Sequence, residues 1–183
     1  MPGNRKVMKE KVPTTFWMTG LPGSGKSTLA TAMRFALLER GLNCCILDGD
    51  VMRQGLTRDL GFSATDRREN IRRVAEVARL LNDAGVFVVS ALVSPARDDR
   101  SMAREIVGEK TFHEIYIATP LSVCEMRDPK GLYKRARAGE IADMTGIGSP
   151  YEIPTAPALA INTVDVPVVD AVNRMLDLIR ALS

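Results

Sequence analysis

Gly20-Leu21-Pro22-Gly23-Ser24-Gly25-Lys26-Ser27 decides how the rest of the chain is read. It has the G-x-x-x-x-G-K-S pattern of a phosphate-binding loop, and its flanks supply the context that pattern needs. Upstream, Thr14-Thr15-Phe16-Trp17-Met18-Thr19 is β-branched and aromatic and reads as a buried strand. Downstream, Leu29, Ala32, Met33, Ala36 and Leu37 recur at helical spacing after Thr28, and Gly41 stops the run. Glycines let successive backbone N–H groups turn toward one anion at a helix N-terminus. Lys26 is expected to reach the β- and γ-phosphates as a point charge, and Ser27 to give its hydroxyl to Mg²⁺. Residues Gly20 to Thr28 therefore predict a nucleoside triphosphate site.

The bulk properties narrow the class. At 183 residues the chain reads as one domain with a substantial core. A net charge of +3 suits a handler of phosphorylated small molecules and lacks the basic bias of a nucleic-acid binder. Cys44, Cys45 and Cys124 form no C-x-x-C pair, and with His113 the sole histidine a zinc site is not expected. Cys44 and Cys45 fall in a strand-like run and read as small buried hydrophobes in a reducing, cytoplasmic protein. No apolar run approaches the ~18 residues of a membrane span. Arg5, Lys6, Lys9 and Lys11 stand without the apolar stretch of a signal peptide, so residues 1–13 read as a flexible start.

Along the chain, apolar strand-like runs alternate with amphipathic helices. Leu42 to Leu47, Val86 to Val93, Glu114 to Ala118 and Leu159 to Asn162 read as strands. Helices are expected after a Ser63 or Thr65 cap to about Asp83, over Asp98–Val107, from Pro120 to Arg127, over Leu132–Gly139 and from Pro167 to Leu182. This order predicts an α/β, three-layer P-loop fold: a mostly parallel central sheet with helices on both faces. Ligands of such sheets bind beyond the carboxyl ends of the strands. The P-loop, Asp48 and Asp50, and Ser94 all follow strand ends and should converge on one cleft.

The acids select the kind of P-loop protein. The run ending at Val93 is followed by Ser94-Pro95 and carries no closing aspartate, and no Asn-Lys-x-Asp segment is present. Instead Asp48 and Asp50 close the strand after the P-loop helix. There they could hold metal-bound water or take a proton from an attacking hydroxyl. An Asp-Gly-Asp turn is the plainer alternative. Arg53, Arg58, Arg67, Arg68, Arg72 and Arg73 follow and suggest an anionic second substrate, with Arg53 and Arg67 nearest the expected cleft. Phe62, between them, could stack on a purine or belong to the core.

These features resemble the adenylylsulfate kinase family, over about residues 14–163. The likeness rests on Gly-Leu-Pro-Gly-Ser-Gly-Lys-Ser-Thr at 20–28, Leu-Asp-Gly-Asp at 47–50, Asp-Leu-Gly-Phe-Ser at 59–63 and Asp-Arg-Arg-Glu-Asn-Ile-Arg-Arg at 66–73. It continues in Ser-Pro at 94–95, Arg-Asp-Pro-Lys-Gly-Leu-Tyr-Lys-Arg at 127–135 and Thr-Gly-Ile at 145–147. The resemblance implies a kinase that uses ATP and Mg²⁺ to phosphorylate the 3′-hydroxyl of adenosine 5′-phosphosulfate. It implies catalytic or metal roles for Lys26, Ser27, Asp48 and Asp50. Arg127 would lie near the ATP base, and Arg53, Phe62, Arg67, Asn70, Gly146 and Ile147 would hold the adenylylsulfate. Lys130, Leu132 and Tyr133 would sit on a mobile lid spanning about 128–150 that closes over both nucleotides. It also implies a phosphorylated role for Ser94, against which stands a plain turn before Pro95. A homodimer and a sulfurylase partner are compatible with it. Gln54, Met144, Gly148 and Asn162 depart from the family pattern, where histidine, an aromatic and two aspartates are expected. The rival readings are a P-loop kinase of another small hydroxylated metabolite and a nucleotide-binding regulatory module.

Overall fold

The computed structural model describes residues 12–180, so most of the expected flexible start and the expected end of the closing helix at Leu182 lie outside the described residues. The chain runs β1 (Thr15–Thr19), α1 (Lys26–Leu38), β2 (Cys44–Asp48), α2 (Gly49–Gln54), α3 (Ala64–Asp83) and β3 (Phe87–Ala91). It continues α4 (Arg97–Val107), β4 (Phe112–Ile117), α5 (Leu121–Arg127), α6 (Leu132–Arg137), β5 (Leu159–Ile161) and α7 (Val168–Arg180). The five strands form one parallel sheet in the order β2-β3-β1-β4-β5.

The three layers follow from strand alternation. Phe16 and Met18 of β1 point to one face, where Leu29, Met33 and Leu37 of α1 and Met175, Leu176 and Ile179 of α7 cover them. Trp17 points to the other, against Ile71, Val74 and Ala78 of α3 and Ala103 and Val107 of α4. All five residues of β1 are buried, which explains why this run is apolar or β-branched throughout. β1 lies between β3 and β4, and the chain leaves it through the P-loop to reach the edge strand β2. That makes the carboxyl end of β1 the switch point where a crevice opens.

Several boundaries differ from the sequence expectation, for local reasons. β2 is an edge strand, so Cys44 and Cys45 are half-buried rather than buried, with all three described cysteines unpaired. Burial still pushes the Cys44 thiol up to about 12. β3 stops at Ala91, because the Val93 carbonyl turns to accept from Gly20 N and Thr19 Oγ1. Asp50 lies in the first turn of α2, not at a strand end. Ser63, not Thr65, caps α3, its hydroxyl accepting from Asp66 N at 3.1 Å. β4 begins at Phe112, whose ring stacks on Trp17 at 5.5 Å between centroids. No described helix is long and apolar enough to cross a membrane.

His113 gives the fold a pH dependence. Its ring lies 5.7 Å from that of Phe16, and its Nε2 is buried with no hydrogen-bond partner among the described residues. Burial, with a smaller contribution from Arg104, holds its pKa below the ordinary histidine value. As pH falls through about 6.5 the unfolded chain takes up the proton before the folded one, so stability declines from there down to the lowered folded value. Melting temperatures recorded between about pH 7.5 and 5.5 should show this decline, and His113→Leu should flatten it. An unchanged slope in that variant would assign the acid sensitivity elsewhere.

Candidate active site

The carboxyl ends of β1, β2, β4 and β5 converge around the P-loop. Gly25, the N-cap of α1, takes φ 103°, a left-handed conformation that a side chain would strain. The Lys26 ammonium is buried and donates to Gly20 O and Leu21 O, each at 2.8 Å. Burial pushes its pKa down to about 8, against the opposing pull of Cys124 and Asp48.

The two acids do different things. Asp48 is engaged through both oxygens: Ser27 Oγ donates to Oδ2 at 2.7 Å, and Asp50 N donates to Oδ1 at 2.9 Å as Asp48 caps α2. Asp48 thus joins the first residues of α1 to the start of α2. Asp50 is exposed and pairs with Lys130, which reaches it from the turn between α5 and α6. The pair joins the acid segment to the expected lid.

The arginine pair surrounds an exposed ring. Phe62 is 62 % exposed, which separates it from the core. The Arg53 guanidinium lies 4.2 Å from its ring centroid and that of Arg67 lies 5.8 Å away. Arg53 also donates to Gly61 O at 2.9 Å. Arg67 donates to Phe62 O at 2.8 Å, Thr145 Oγ1 at 3.0 Å and Asp143 O at 2.8 Å, tying α3 to residues 143–145. Asn70 is buried, its Oδ1 accepting from Thr57 Oγ1 at 2.8 Å.

The family model described as adenylylsulphate kinase matches residues 12–162. The chain belongs to the adenylylsulphate kinase family. It is 56% identical over 173 residues to an adenylyl-sulfate kinase of Shewanella amazonensis, covering 94% of this chain and 87% of that one. It superposes with TM-score 0.89 on the solved Mycobacterium tuberculosis APS kinase CysC in complex with AMPPNP and APS, at 45% identity over 92% of this chain and 98% of that one. It also matches the bifunctional enzyme NodQ of Rhizobium tropici, at 55% identity over 87% of this chain and 25% of NodQ.

In this kinase the expected lid divides into parts that reach the cleft and parts that do not. Tyr133 is 1 % exposed and packs with Cys124, Ala136 and Met144, while its hydroxyl donates to Pro22 O at 2.9 Å. Its side chain therefore holds α6 against the P-loop. Leu132 and Ile147 pack around the same cluster. Gly146, φ 92°, and Ile147 line a cleft of about 600 Å³ with Leu21, Tyr116 and Tyr151.

Ser94 stands at the turn before Pro95. It is 3 % exposed at φ 43°, and its hydroxyl accepts from Trp17 Nε1 at 3.2 Å. The oxygen is turned into the protein, so the structure favours the plain turn before Pro95 over a phosphorylated intermediate. Buried Arg100 fixes that turn, donating to Ser94 O at 2.6 Å and Glu152 O at 2.7 Å while pairing with Glu114 at 2.6 Å.

Three of the four unusual positions have a local explanation. Met144 is 5 % exposed within the Tyr133 cluster. A Cβ at Gly148 would lie 1.8 Å from Ala142 O, so this loop path excludes any side chain there. Asn162 Oδ1 accepts from Val164 N at 3.1 Å and its Nδ2 donates to Asp165 at 2.6 Å, a self-contained turn. Nothing in the structure explains Gln54.

Sequence reasoning missed Thr119 and Thr163. Each follows the end of a strand, β4 or β5, which was a usable signal in a fold whose ligands lie beyond strand ends. Arg127 Nη1 donates to Thr163 Oγ1 at 2.8 Å, so its guanidinium is held at the end of β5.

Proposed function

We propose that this chain transfers the γ-phosphoryl group of ATP to the 3′-hydroxyl of adenosine 5′-phosphosulfate, giving 3′-phosphoadenosine 5′-phosphosulfate and ADP. The observation that carries the reading is the division of labour between the acids: Asp48 engaged by Ser27 and α2, Asp50 exposed and paired to the lid lysine.

In this reading the P-loop N–H groups and Lys26 hold the ATP phosphates, and Arg127 lies beside the ATP base. Phe62 stacks on the purine of the acceptor, while Arg53 and Arg67 hold its phosphosulfate. Asp50 accepts the 3′-hydroxyl proton as the bond from the 3′-oxygen to the γ-phosphorus forms and the bond from that phosphorus to the β–γ bridging oxygen breaks. Ser27, Asp48 and Asp50 offer hard oxygen donors, and no described cluster of acids, cysteines or histidine could hold a metal by itself. Hard oxygen donors suit Mg²⁺, which is commonly bound together with substrate phosphates, and Ser27 and Asp50 would hold it. When bound, the cation would neutralise charge on the β- and γ-phosphate oxygens. The turn that carries Lys130 closes over the reacting end and excludes water, while Tyr133 and Met144 anchor the rest of residues 128–150 beside the P-loop.

A reducing cytoplasm suits the unpaired cysteines. The family resemblance makes a sulfurylase the partner to test first.

The test is transfer of labelled γ-phosphate from MgATP to adenosine 5′-phosphosulfate, with its 3′-deoxy analogue alongside. Label should appear on the natural acceptor and not on the analogue. Equal labelling of both would reject the 3′-hydroxyl as the acceptor, and label on neither would reject the reaction.

A further inference from the structure

We propose that Thr119 and Thr163 are positioning residues that aim the Gly25 N–H of the P-loop at phosphate, and that they couple it to Arg127. The proposal rests on the reading that ATP phosphates occupy the P-loop, and adds residues and a coupling to it.

One peptide unit links the threonines to the phosphate site. The Ser24–Gly25 peptide is planar and trans, so its carbonyl and its N–H point in opposite directions. Gly25 is the N-cap of α1, where backbone N–H groups meet phosphate. Whatever fixes the Ser24 carbonyl therefore fixes the Gly25 N–H. Two hydroxyls do so: Thr119 Oγ1 lies 2.9 Å from Ser24 O, and Thr163 Oγ1 lies 3.1 Å from it. The two hydroxyls are also 2.8 Å from each other.

The proton count gives this cluster a direction. Arg127 can only donate, and its Nη1 lies 2.8 Å from Thr163 Oγ1. Thr163 accepts there and gives its own proton onward, to Thr119 or to Ser24 O. Thr119 gives its proton to Ser24 O or to Thr163, and in either case a threonine hydroxyl donates to Ser24 O. The chain thus runs one way, from the guanidinium to the P-loop carbonyl, and each bond polarises the next. Thr119 is 4 % exposed, so water does not readily substitute for its contacts.

Packing supports the same role. A Cβ built on Gly25 would come within 3.2 Å of Thr163 Cγ2, so the Thr163 methyl already lies close against the loop. Thr163→Val keeps that methyl and the branched shape and deletes only the hydroxyl. The two threonines come from the ends of β4 and β5, the two strands beyond β1 on one side of the sheet. The sheet therefore buttresses the loop from the side away from Asp48.

The experiment uses the full chain with two probes: MgATP, and magnesium tripolyphosphate, which has phosphates but no base. Thr163→Val should weaken both about tenfold, the size of one net hydrogen bond, while the KM for adenosine 5′-phosphosulfate stays within about twofold. Thr163→Ser should bind both probes within about twofold of the parent, because it restores the hydroxyl. Arg127→Ala should weaken tripolyphosphate severalfold although that probe has no base to contact. Tripolyphosphate binding unchanged in both Thr163→Val and Thr119→Val would overturn the positioning role. Its loss in those variants with Arg127→Ala unaffected would overturn the coupling. Because tripolyphosphate binding needs no acceptor, neither overturning outcome depends on which hydroxyl receives the phosphoryl group.

Discussion

Asp50→Asn is expected to lower kcat for phosphoryl transfer by about 10³-fold while MgATP binding stays within a few-fold. The substitution keeps the shape of the side chain and removes the charge and the basic oxygen. Asp48 cannot take over easily, because Ser27 Oγ and Asp50 N already occupy its two oxygens at 2.7 and 2.9 Å. The fold should be indifferent, since Asp50 is exposed and its pair with Lys130 is a surface pair worth about 0–1 kcal/mol. The Asp50 amide still donates to Asp48, so the cap of α2 survives. Single-turnover transfer and ATP titration on the same variant separate the two effects. A variant with undiminished turnover would move the proton-accepting role from Asp50 to Asp48. One that no longer binds MgATP would make Asp50 chiefly a metal and nucleotide ligand.

The distinction between the acids could not be read from Leu-Asp-Gly-Asp. Sequence placed both at a strand end; the helix that begins at Gly49 gives one of them a capping duty and leaves the other facing outward. The core was more legible. Phe16, Trp17 and Met18 must be buried on both faces of a central strand, and the recurrence of Leu29, Met33 and Leu37 shows which side of α1 covers it. Edge position was not legible, because Cys44 to Leu47 is as apolar as an inner strand, and only the strand order reveals that no described strand pairs beyond it. The lid was read too simply. Tyr133 stands in the same motif as Lys130, yet one faces Asp50 and the other is buried against Pro22, and short helical periodicity over 132–137 does not separate them. Serine and threonine were the hardest, since a hydroxyl suits a turn, a ligand or a buried carbonyl equally well. Ser94 turned out to serve Trp17, and Thr119 and Thr163 the P-loop.

Lys26→Ala is expected to lower kcat/KM by about 10²-fold or more, with the larger part in kcat, because the ammonium opposes charge that grows during transfer. The resting geometry shows how the protein keeps that charge ready. Lys26 is 8 % exposed, its cation held by the carbonyls of Gly20 and Leu21 and by Ser24 Oγ at 3.4 Å. Burial lowers its pKa to about 8, because this pocket solvates a cation poorly without an anion beside it. A triphosphate supplies that anion, so binding should raise the pKa and draw the ammonium toward the β- and γ-oxygens. Removing the side chain deletes a buried charge, so the thermal midpoint should hold steady or rise while activity collapses. Lys26→Arg should rescue little: the carbonyls of Gly20 and Leu21 converge on one nitrogen, and a planar fork cannot replace a point donor there. Kinetics and thermal melts of both variants check this together. Near-parental turnover in Lys26→Ala would remove the lysine from the reaction, and with it the assignment of this loop as the seat of the transferred phosphate.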